Sequence, residues 1–171
     1  MAFSHVKIDR YDIRILEALQ ADGSLSNQDI ADRVGLSASP CSRRIRLLID
    51  AGIIASTVVR LAPDKLGLDL TVLIHIRMDR HTPERFDNFE GIVRSYPEVQ
   101  ECYLITGQEA DYQLKIIVPN MEEYQRFLLE KITRIDGVIG VHSSFVLRKN
   151  IDSTALPLNY LKKERPDAEA R

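Results

Sequence analysis

Three arginines, Arg43, Arg44 and Arg46, stand within four consecutive positions of the chain. A guanidinium group donates paired hydrogen bonds that match the O6 and N7 acceptors of guanine and the oxygens of phosphate. Ser37 and Ser39 precede the arginines and add hydroxyl groups suited to phosphates and base edges. These five residues together predict a DNA-binding surface.

The arginines belong to a predicted amphipathic helix that begins at Ser37. At about 100° per residue, its apolar side chains gather on one side, with Arg43, Arg46 and Ser39 opposite and Arg44 on the flank. We expect the apolar side to pack against other helices and so to hold the guanidinium groups outward. The residues predicted to be buried are Cys41, Ile45, Leu48 and Ile49.

Two further helices are predicted before this one. Asp9 and Ser26 each precede an aspartate by three positions, which is the spacing of a helix-capping box, and Gly35 is suited to end the second helix. Three helices, the last two joined by a tight turn, form a helix-turn-helix. The β-branched segment 55–61 predicts a short strand or wing.

The second half of the chain alternates between strand and helix patterns. Four segments with alternating apolar residues predict strands, and amphipathic segments after Thr82 and after Asn120 predict helices. The order β-α-β-β-α-β is that of the ferredoxin-like, or ACT-like, fold. The chain is therefore predicted to be an α+β protein. Its predicted parts are a three-helix, winged helix-turn-helix domain at 1–60, a linker at 61–70, a βαββαβ domain at 71–161 and a disordered tail at 162–171.

In the βαββαβ fold, both helices cover one face of the sheet and leave the other face open. We expect the open face to carry Leu73, Leu104, Ile117 and either Val146 or the residues that alternate with it, and to be too apolar for contact with water. Self-association through the sheet would cover this face. The sequence therefore predicts a dimer or a larger oligomer.

Composition and motifs exclude several classes of function. The net charge is −2, and residues 1–60 hold eight Lys and Arg against seven Asp and Glu, so overall charge does not point to a nucleic-acid partner. Cys41 and Cys102 are far apart, with no histidine at zinc-site spacing. No phosphate loop, nucleophile elbow or metalloprotease motif occurs. We therefore predict no catalytic site, no metal and no cofactor.

No apolar run approaches the length of a membrane span. The N-terminus lacks the basic and apolar segments of a secretion signal. We expect a cytoplasmic protein without a membrane partner.

Several motifs together resemble the Lrp/AsnC, or feast/famine, transcriptional regulators. The similarity runs from about Asp9 to Leu161, and its most specific part is the pattern S-x-S-P-C-x-x-R-x-x-x-L at 37–48. The segments PEVQECYLITG, DYQLKIIVP and GVIGVHSSFVLR also match. The resemblance implies a ligand-sensing C-terminal domain, homodimers that assemble into octamers, and an amino acid or related metabolite as effector. The end of the chain is similar to that of members that control amino-acid catabolic genes.

The resemblance also implies effector-binding residues at the contact between dimers. Backbone amides near Gly107 could approach a carboxylate, Asp111 could pair with an ammonium group, and Tyr112 could wall a side-chain pocket. An alternative is a tight hairpin in which the aspartate only caps the turn. The candidates on matching positions are Thr106, Gly107, Asp111, Tyr112, Ser143 and Phe145.

The hairpin loop departs from the family pattern. The usual loop has two residues between the glycine and Asp-Tyr, whereas this chain has three, Gln108, Glu109 and Ala110. A longer, more acidic loop favours a reshaped pocket or a basic or larger effector.

Two other functions remain open from the residues alone. A largely nonspecific architectural DNA-binding protein would use the same helix and bind by phosphate contact, but the small positive charge of residues 1–60 argues against it. A small enzyme would need an acid-base pair on the open sheet, for which His75 and His142 are the nearest candidates.

Overall fold

The structure, a computed structural model, describes residues 7–107 and 109–161. They fall into two compact units. The described residues up to Arg60, together with those from Ile151 onward, form a helical unit, and Leu61–Asn150 form a sheet unit. The predicted disordered tail at 162–171 lies outside the described residues.

The described part of the helical unit contains three α-helices in the predicted order. They are α1 (Arg10–Ala21), α2 (Asn27–Val34) and α3 (Ala38–Asp50). An apolar core joins them, and it includes residues from every helix. Its buried residues are Ile15, Leu16, Ile30, Ala31, Val34, Cys41 and Leu48.

Both predicted capping boxes are present, at the starts of α1 and α2. The side chain of Asp9 accepts hydrogen bonds from the amides of Tyr11 and Asp12 at 2.7 and 3.0 Å. The Ser26 hydroxyl accepts one from the amide of Asp29 at 3.2 Å. Each box satisfies amides that have no partner inside the helix.

The predicted strand or wing at 55–61 is absent from the described chain. These residues form no strand and are all exposed. A strand needs a partner for its backbone amides and carbonyls, and the described helical unit offers no other strand to pair with this segment. The described chain by itself therefore does not form the strand that the β-branched composition predicts at 55–61.

The end of the chain also differs from the predicted domain boundary. Residues 151–161, predicted to belong to the βαββαβ domain, pack with the helices instead. Leu158 lies against the helical core, and the side chain of Gln20 forms two hydrogen bonds with the backbone of Leu156. The segment has neither a strand nor a long helix pattern, so its sequence did not indicate which unit it joins.

The sheet unit has the predicted β-α-β-β-α-β order, which confirms the α+β fold. Its four strands are antiparallel, and across the sheet the second strand of the chain is followed by the third, the first and the fourth. A 3₁₀ helix, Pro63–Leu66, occupies the predicted linker. The main elements are β1 (Leu70–Met78), α4 (Pro83–Val93), β2 (Val99–Leu104), β3 (Tyr112–Val118), α5 (Met121–Glu130) and β4 (Val138–Phe145).

One face of the sheet packs against α4 and α5. Alternate residues of β1 and β3 point to this face and are buried, as period-two patterning requires. None of the described helices has the length and apolar character needed to cross a bilayer. The buried core residues are Val72, Ile74, Ile76, Met78, Phe89, Val93, Tyr112, Leu114, Ile116, Val118, Tyr124, Phe127, Ile132 and Ile135.

The open face of the sheet is more polar than predicted. Leu73 and Ile117 lie on it and are half-buried. Their neighbours on the same face include His75, Gln113 and Lys115, each of which is also half-buried. The face therefore mixes apolar and hydrogen-bonding groups.

Leu104 lies on the opposite face from the one predicted. The register shifts between Val99 and Glu101, and this irregularity places Leu104 opposite Tyr112 of β3. Tyr112 is buried towards α4, so Leu104 lies on the helix-covered side at the sheet edge. Because one extra residue reverses the alternation of a strand, the sequence pattern could not show this. Val146 lies just beyond the end of β4.

Candidate functional site

The helix that carries the arginines is held on its apolar side, as predicted, by Cys41 and Leu48. Both are buried in the helical core, and Ile45 is half-buried against it. Ile49, however, is 52% exposed, so its predicted burial is wrong. Ile49 lies about 80° around the helix from Cys41, at the edge of the apolar stripe, and α1 and α2 do not cover that flank.

The turn before α3 is fixed by backbone contacts. Gly35 has φ 75°, the left-handed conformation that ends α2, and the amides of Gly35 and Leu36 both donate to the Ala31 carbonyl. Arg14 of α1 donates to the Arg33 carbonyl at 3.0 Å. These bonds satisfy carbonyls at the end of α2 and set where α3 begins.

The exposed side of α3 carries Ser39, Arg43 and Arg46. These residues are all exposed and recur on successive turns of one stripe. Within the described residues, no ion pair or hydrogen bond involves the side chain of Arg43 or Arg46. Ser37 precedes the helix as its N-cap residue, but its side chain makes no capping hydrogen bond. Four of the five predicted DNA-binding side chains are therefore on or beside one accessible surface.

Arg44, the fifth predicted DNA-binding residue, is engaged inside the helical unit. Its Nη1 lies 2.8 Å from Oδ1 of Asp12 and 2.9 Å from Oδ2 of Asp9, and its guanidinium lies 5.6 Å from the centre of the Tyr11 ring. The hydrogen bond to Asp12 is the largest influence that raises the pKa of Arg44. Arg44 is therefore held within the helical unit and does not belong to the exposed stripe of Ser39, Arg43 and Arg46.

Asp9 and Asp12 each use one carboxylate oxygen to accept from backbone amides at the start of α1 and the other to contact Arg44. Asp9 uses Oδ1 for the amides of Tyr11 and Asp12, while Asp12 uses Oδ2 for the amide of Asp9. The remaining oxygens face Arg44. Burial raises the pKa of Asp9, but the two amide hydrogen bonds and Arg44 outweigh it, so the pKa is lowered overall. The capping box was visible in the sequence; its second role as an arginine acceptor was not.

Among the predicted effector residues, Asp111 is held by the protein itself. Its Oδ2 accepts from the Met78 amide at 2.7 Å, and its Oδ1 lies 2.7 Å from Nε2 of His81. The carboxylate thus joins β1 to the hairpin end. A ligand ammonium group would have to share Oδ1 with His81.

Tyr112 is fully buried and points away from the open face. Its hydroxyl donates to Oε1 of Glu90 on α4 at 2.8 Å, and its ring centre lies 4.6 Å from that of Phe89. Burial, followed by the contact with Glu90, raises the pKa of Tyr112. Tyr112 is therefore a core residue of the protomer, and together with Glu90 it lines a cavity of about 360 Å³ on the helix-covered side of the sheet, away from Gly107.

Ser143 and Phe145 also lie on the helix-covered face. Tyr124 of α5 donates to the Ser143 hydroxyl at 2.7 Å, and its ring packs edge-on against Phe145 at 5.2 Å. The strand register places Ser143 opposite Ile74 and Phe145 opposite Val72, both buried under the helices.

Gly107 lies instead at a cavity of about 310 Å³ on the open face. His75, Glu109, Ala110 and His142 also line it. Thr106 is exposed nearby in the chain, while Gln108 lies outside the described residues. One protomer therefore does not bring the six predicted effector residues into one pocket.

His75 and His142, the enzyme candidates, are brought together by strand pairing. They are directly opposite on β1 and β4, with ring centres 6.4 Å apart, and Nε2 of His75 lies 3.1 Å from Oε1 of Gln113. Among the described residues, no group of three His, Cys, Asp or Glu side chains is arranged to hold a metal ion. The sequence placed both histidines on strands but could not show that those strands are neighbours.

Comparisons with known proteins identify two domains along this chain. Residues 71–156 match the Lrp/AsnC ligand binding domain, and residues 8–55 match a winged helix-turn-helix DNA-binding domain. The glutamate uptake regulatory protein of Zymomonas mobilis is 40% identical over 152 residues, which cover 89% of this chain and 92% of that protein. The leucine-responsive regulatory protein of Escherichia coli is 38% identical over 149 residues, covering 87% of this chain and 90% of that protein.

A solved structure is similar over nearly the same length. A transcriptional regulator from Neisseria meningitidis in complex with L-methionine superposes with a TM-score of 0.86 and 38% identity, covering 90% of this chain and 98% of that chain. With a helix-turn-helix and a ligand-binding domain on one polypeptide, the chain belongs to the Lrp/AsnC family of transcriptional regulators.

Proposed function

We propose that this protein is a sequence-specific transcriptional regulator whose affinity for DNA is changed by a small amino-acid-type effector, and that it controls genes of amino-acid metabolism. The observation that carries the DNA-binding part is the exposed stripe of Ser39, Arg43 and Arg46 on a helix anchored by Cys41 and Leu48. Guanidinium groups that have no partner among the described residues and stand on a fixed support are suited to bases and phosphates.

The DNA would be bound by two copies of the chain. A twofold dimer places its recognition helices about 34 Å apart, so the operator would be a pseudo-palindrome with half-sites one helical turn, or a multiple of it, apart. The half-buried Leu73 and Ile117 on the open sheet face suit this face to self-association. Octamers would follow from further contacts between dimers.

The effector class is supported by the relatives. The Neisseria regulator was solved with L-methionine, and the names of other relatives refer to leucine response and glutamate uptake. In this chain, Gly107 and Asp111 lie at the two ends of the hairpin loop. A backbone amide near Gly107 would receive a carboxylate, and Asp111 Oδ1 would receive an ammonium group. An effector changes DNA affinity only if it binds one conformation or assembly better than another.

The DNA-binding part is tested by titration of an enriched operator duplex and a random duplex at several salt concentrations. Arg43→Ala and Arg46→Ala should each weaken binding by about 1–3 kcal/mol and reduce the salt slope by about 1. Arg126→Ala, an exposed arginine on α5, is the matched control and should change neither quantity. Unchanged binding in both α3 variants would refute the proposal. Equal affinity for the two duplexes would favour the nonspecific architectural function.

The effector part is tested by thermal unfolding of the full chain with each of the twenty amino acids. A ligand at 100 times its Kd stabilises the native state by about 2.7 kcal/mol, which would raise the Tm measurably. Asp111→Asn should weaken that shift, whereas Asp87→Asn, on the exposed side of α4, should preserve it. If no amino acid shifts the Tm or the DNA affinity, the effector class is wrong.

A further inference from the structure

The segment 151–161 follows the sheet unit in sequence but is fixed to α1 of the helical unit. Gln20 uses both groups of its side-chain amide for this contact. Its Nε2 donates to the Leu156 carbonyl at 3.2 Å, and its Oε1 accepts from the Leu156 amide at 2.6 Å. The amide and the carbonyl of Leu156 are therefore both hydrogen-bonded to Gln20. The contact resembles the pair of hydrogen bonds that two opposite residues exchange in an antiparallel sheet.

Two other contacts hold the same segment. Near its start, Oδ1 of Asp152 accepts from Nη2 of Arg60 at 2.5 Å. Near its end, Leu158 packs against the apolar core of the three helices. The Leu156 side chain is 70% exposed, so this residue contributes through its backbone. The segment is therefore anchored by an ion pair, a backbone pair and an apolar contact.

These anchors give the helical unit two connections to the sheet unit. The first is the covalent linker, and the second is covalent at the sheet unit but held by non-covalent contacts at the helical unit. One runs from Arg60 to the start of β1 at Leu70, and the other runs from the end of β4 at Phe145 to Asp152. The second connection spans at most about 25 Å even when fully extended. A body on a single flexible linker rotates about it, whereas a body held at two points loses much of that freedom.

We propose that residues 151–161 form a strap that limits rotation of the DNA-binding helices relative to the sheet unit, and thereby sets the half-site spacing that a dimer accepts. The inference rests on the proposed function, because spacing has meaning only for a dimer that binds DNA. Gln20 and Leu158 are then positioning residues. They act on DNA binding through the strap and not by touching the duplex.

The test compares strap variants of the full chain on two duplexes. One is an operator enriched in vitro with the unmodified chain; the other carries about half a helical turn of extra DNA between the half-sites. Leu158→Ala removes the apolar anchor, and Leu156→Pro removes the amide that donates to Gln20. Leu156→Ala is the matched control, since it changes an exposed side chain and keeps both backbone hydrogen bonds.

The unmodified chain and the control should lose about tenfold or more in affinity on the lengthened duplex, towards the nonspecific level. The two strap variants should lose clearly less, while binding the original duplex comparably. Hydrogen exchange at 151–161 reports release of the strap, and circular dichroism reports folding of the helices. If Leu158→Ala unfolds the helices, Leu156→Pro replaces it in the comparison. A chain that ends at Asn150, and so lacks the strap, is then also compared with a chain that ends at Leu161 and keeps it.

Three results are distinguishable. An unmodified chain that enriches no duplex contradicts the proposed function. Variants with a released strap but an unchanged spacing penalty overturn the strap while leaving the proposed function intact. Unchanged hydrogen exchange at 151–161 in every variant overturns it as well, because the contacts with Gln20 and Leu158 would then not hold the segment.

Discussion

Replacement of Arg44 by alanine should destabilise the helical unit while leaving the exposed stripe of α3 chemically unchanged. The substitution removes the 2.8 Å contact with Asp12 and the 2.9 Å contact with Asp9. Asp12 is only 7% exposed. Its carboxylate would keep the hydrogen bond from the Asp9 amide but would lose its cationic partner.

The magnitude follows from where the ion pair lies. Breaking a fully buried pair costs about 3–5 kcal/mol, whereas an exposed pair contributes about 0.2–1 kcal/mol. The side chain of Arg44 is 29% exposed and that of Asp9 is 44% exposed, so water reaches part of this cluster. We expect Arg44→Ala to lower the free energy of unfolding by about 2–3 kcal/mol. Arg43→Ala, which removes an exposed arginine, should cost less than about 0.5 kcal/mol.

The free energy of unfolding is measured by denaturant titration, with circular dichroism as the signal. It is measured for Arg44→Ala, for Asp12→Ala and for the double variant, which together form a double-mutant cycle. A coupling energy of about 1 kcal/mol or more is expected for groups in direct contact. DNA titrations supply the second measurement: where the helices remain folded, Arg44→Ala should keep the salt slope that Arg43→Ala lowers by about 1. Equal destabilisation by the two substitutions, or an equal loss of slope, would refute the assignment of Arg44 to the interior.

Three further predictions concern other parts of the chain. Gly35→Ala should destabilise the helical unit by about 1–2 kcal/mol in denaturant unfolding, because an alanine is strained at the φ of +75° that Gly35 adopts. A Cβ at this position would meet no atom within 4 Å, so steric contact adds nothing to this cost. Little or no loss of stability would contradict the left-handed conformation of Gly35. Iodoacetamide followed by mass spectrometry should label exposed Cys102 well before buried Cys41, and equal rates would contradict this burial. The hydrogen bond from Lys115 is the largest influence that lowers the pKa of Glu101 from 4.5. The resulting stabilisation should be present above pH 4.5 and lost as the pH falls through the folded-state pKa, and Lys115→Met should remove that part of the pH dependence in acid unfolding.

Local signals in the sequence were enough to predict the elements and their order. Capping boxes begin at Asp9 and Ser26, and a glycine ends α2, because these features depend on residues only a few positions apart. The βαββαβ order followed from the alternation of periods two and 3.6. The same local logic failed at 55–61, where strand formation depends on a distant partner.

The candidate effector site was the part least accessible from sequence. The resemblance to the family predicts Tyr112, Ser143 and Phe145 as effector residues, but the register of β1 with β3 and β4 turns all three towards the helices. Register depends on pairing between segments far apart in sequence, and a bulge such as that in β2 reverses it without a signal in the apolar pattern. Gly107 and Asp111 were accessible to prediction because a hairpin loop is local.

Arg43, Arg44 and Arg46 are neighbours in sequence, but helix geometry gives them different roles. Arg43 and Arg46 face outward, whereas Arg44 forms ion pairs inside the helical unit. Taking Cys41 as the centre of the buried side, Arg43 and Arg46 lie about 140–160° away, whereas Arg44 lies only about 60° away. At that angle Arg44 reaches the carboxylates at the start of α1, and its charge is largely neutralised by them. The charge available to DNA on this helix is therefore two guanidinium groups, and their direction depends on the third. Arg43→Lys should therefore affect DNA affinity, and Arg44→Lys should affect stability. The Nη1 atom of Arg44 contacts both carboxylates while its planar guanidinium lies 5.6 Å from the centre of the Tyr11 ring, and the ammonium group of lysine, on a differently shaped stem, cannot reproduce that planar contact.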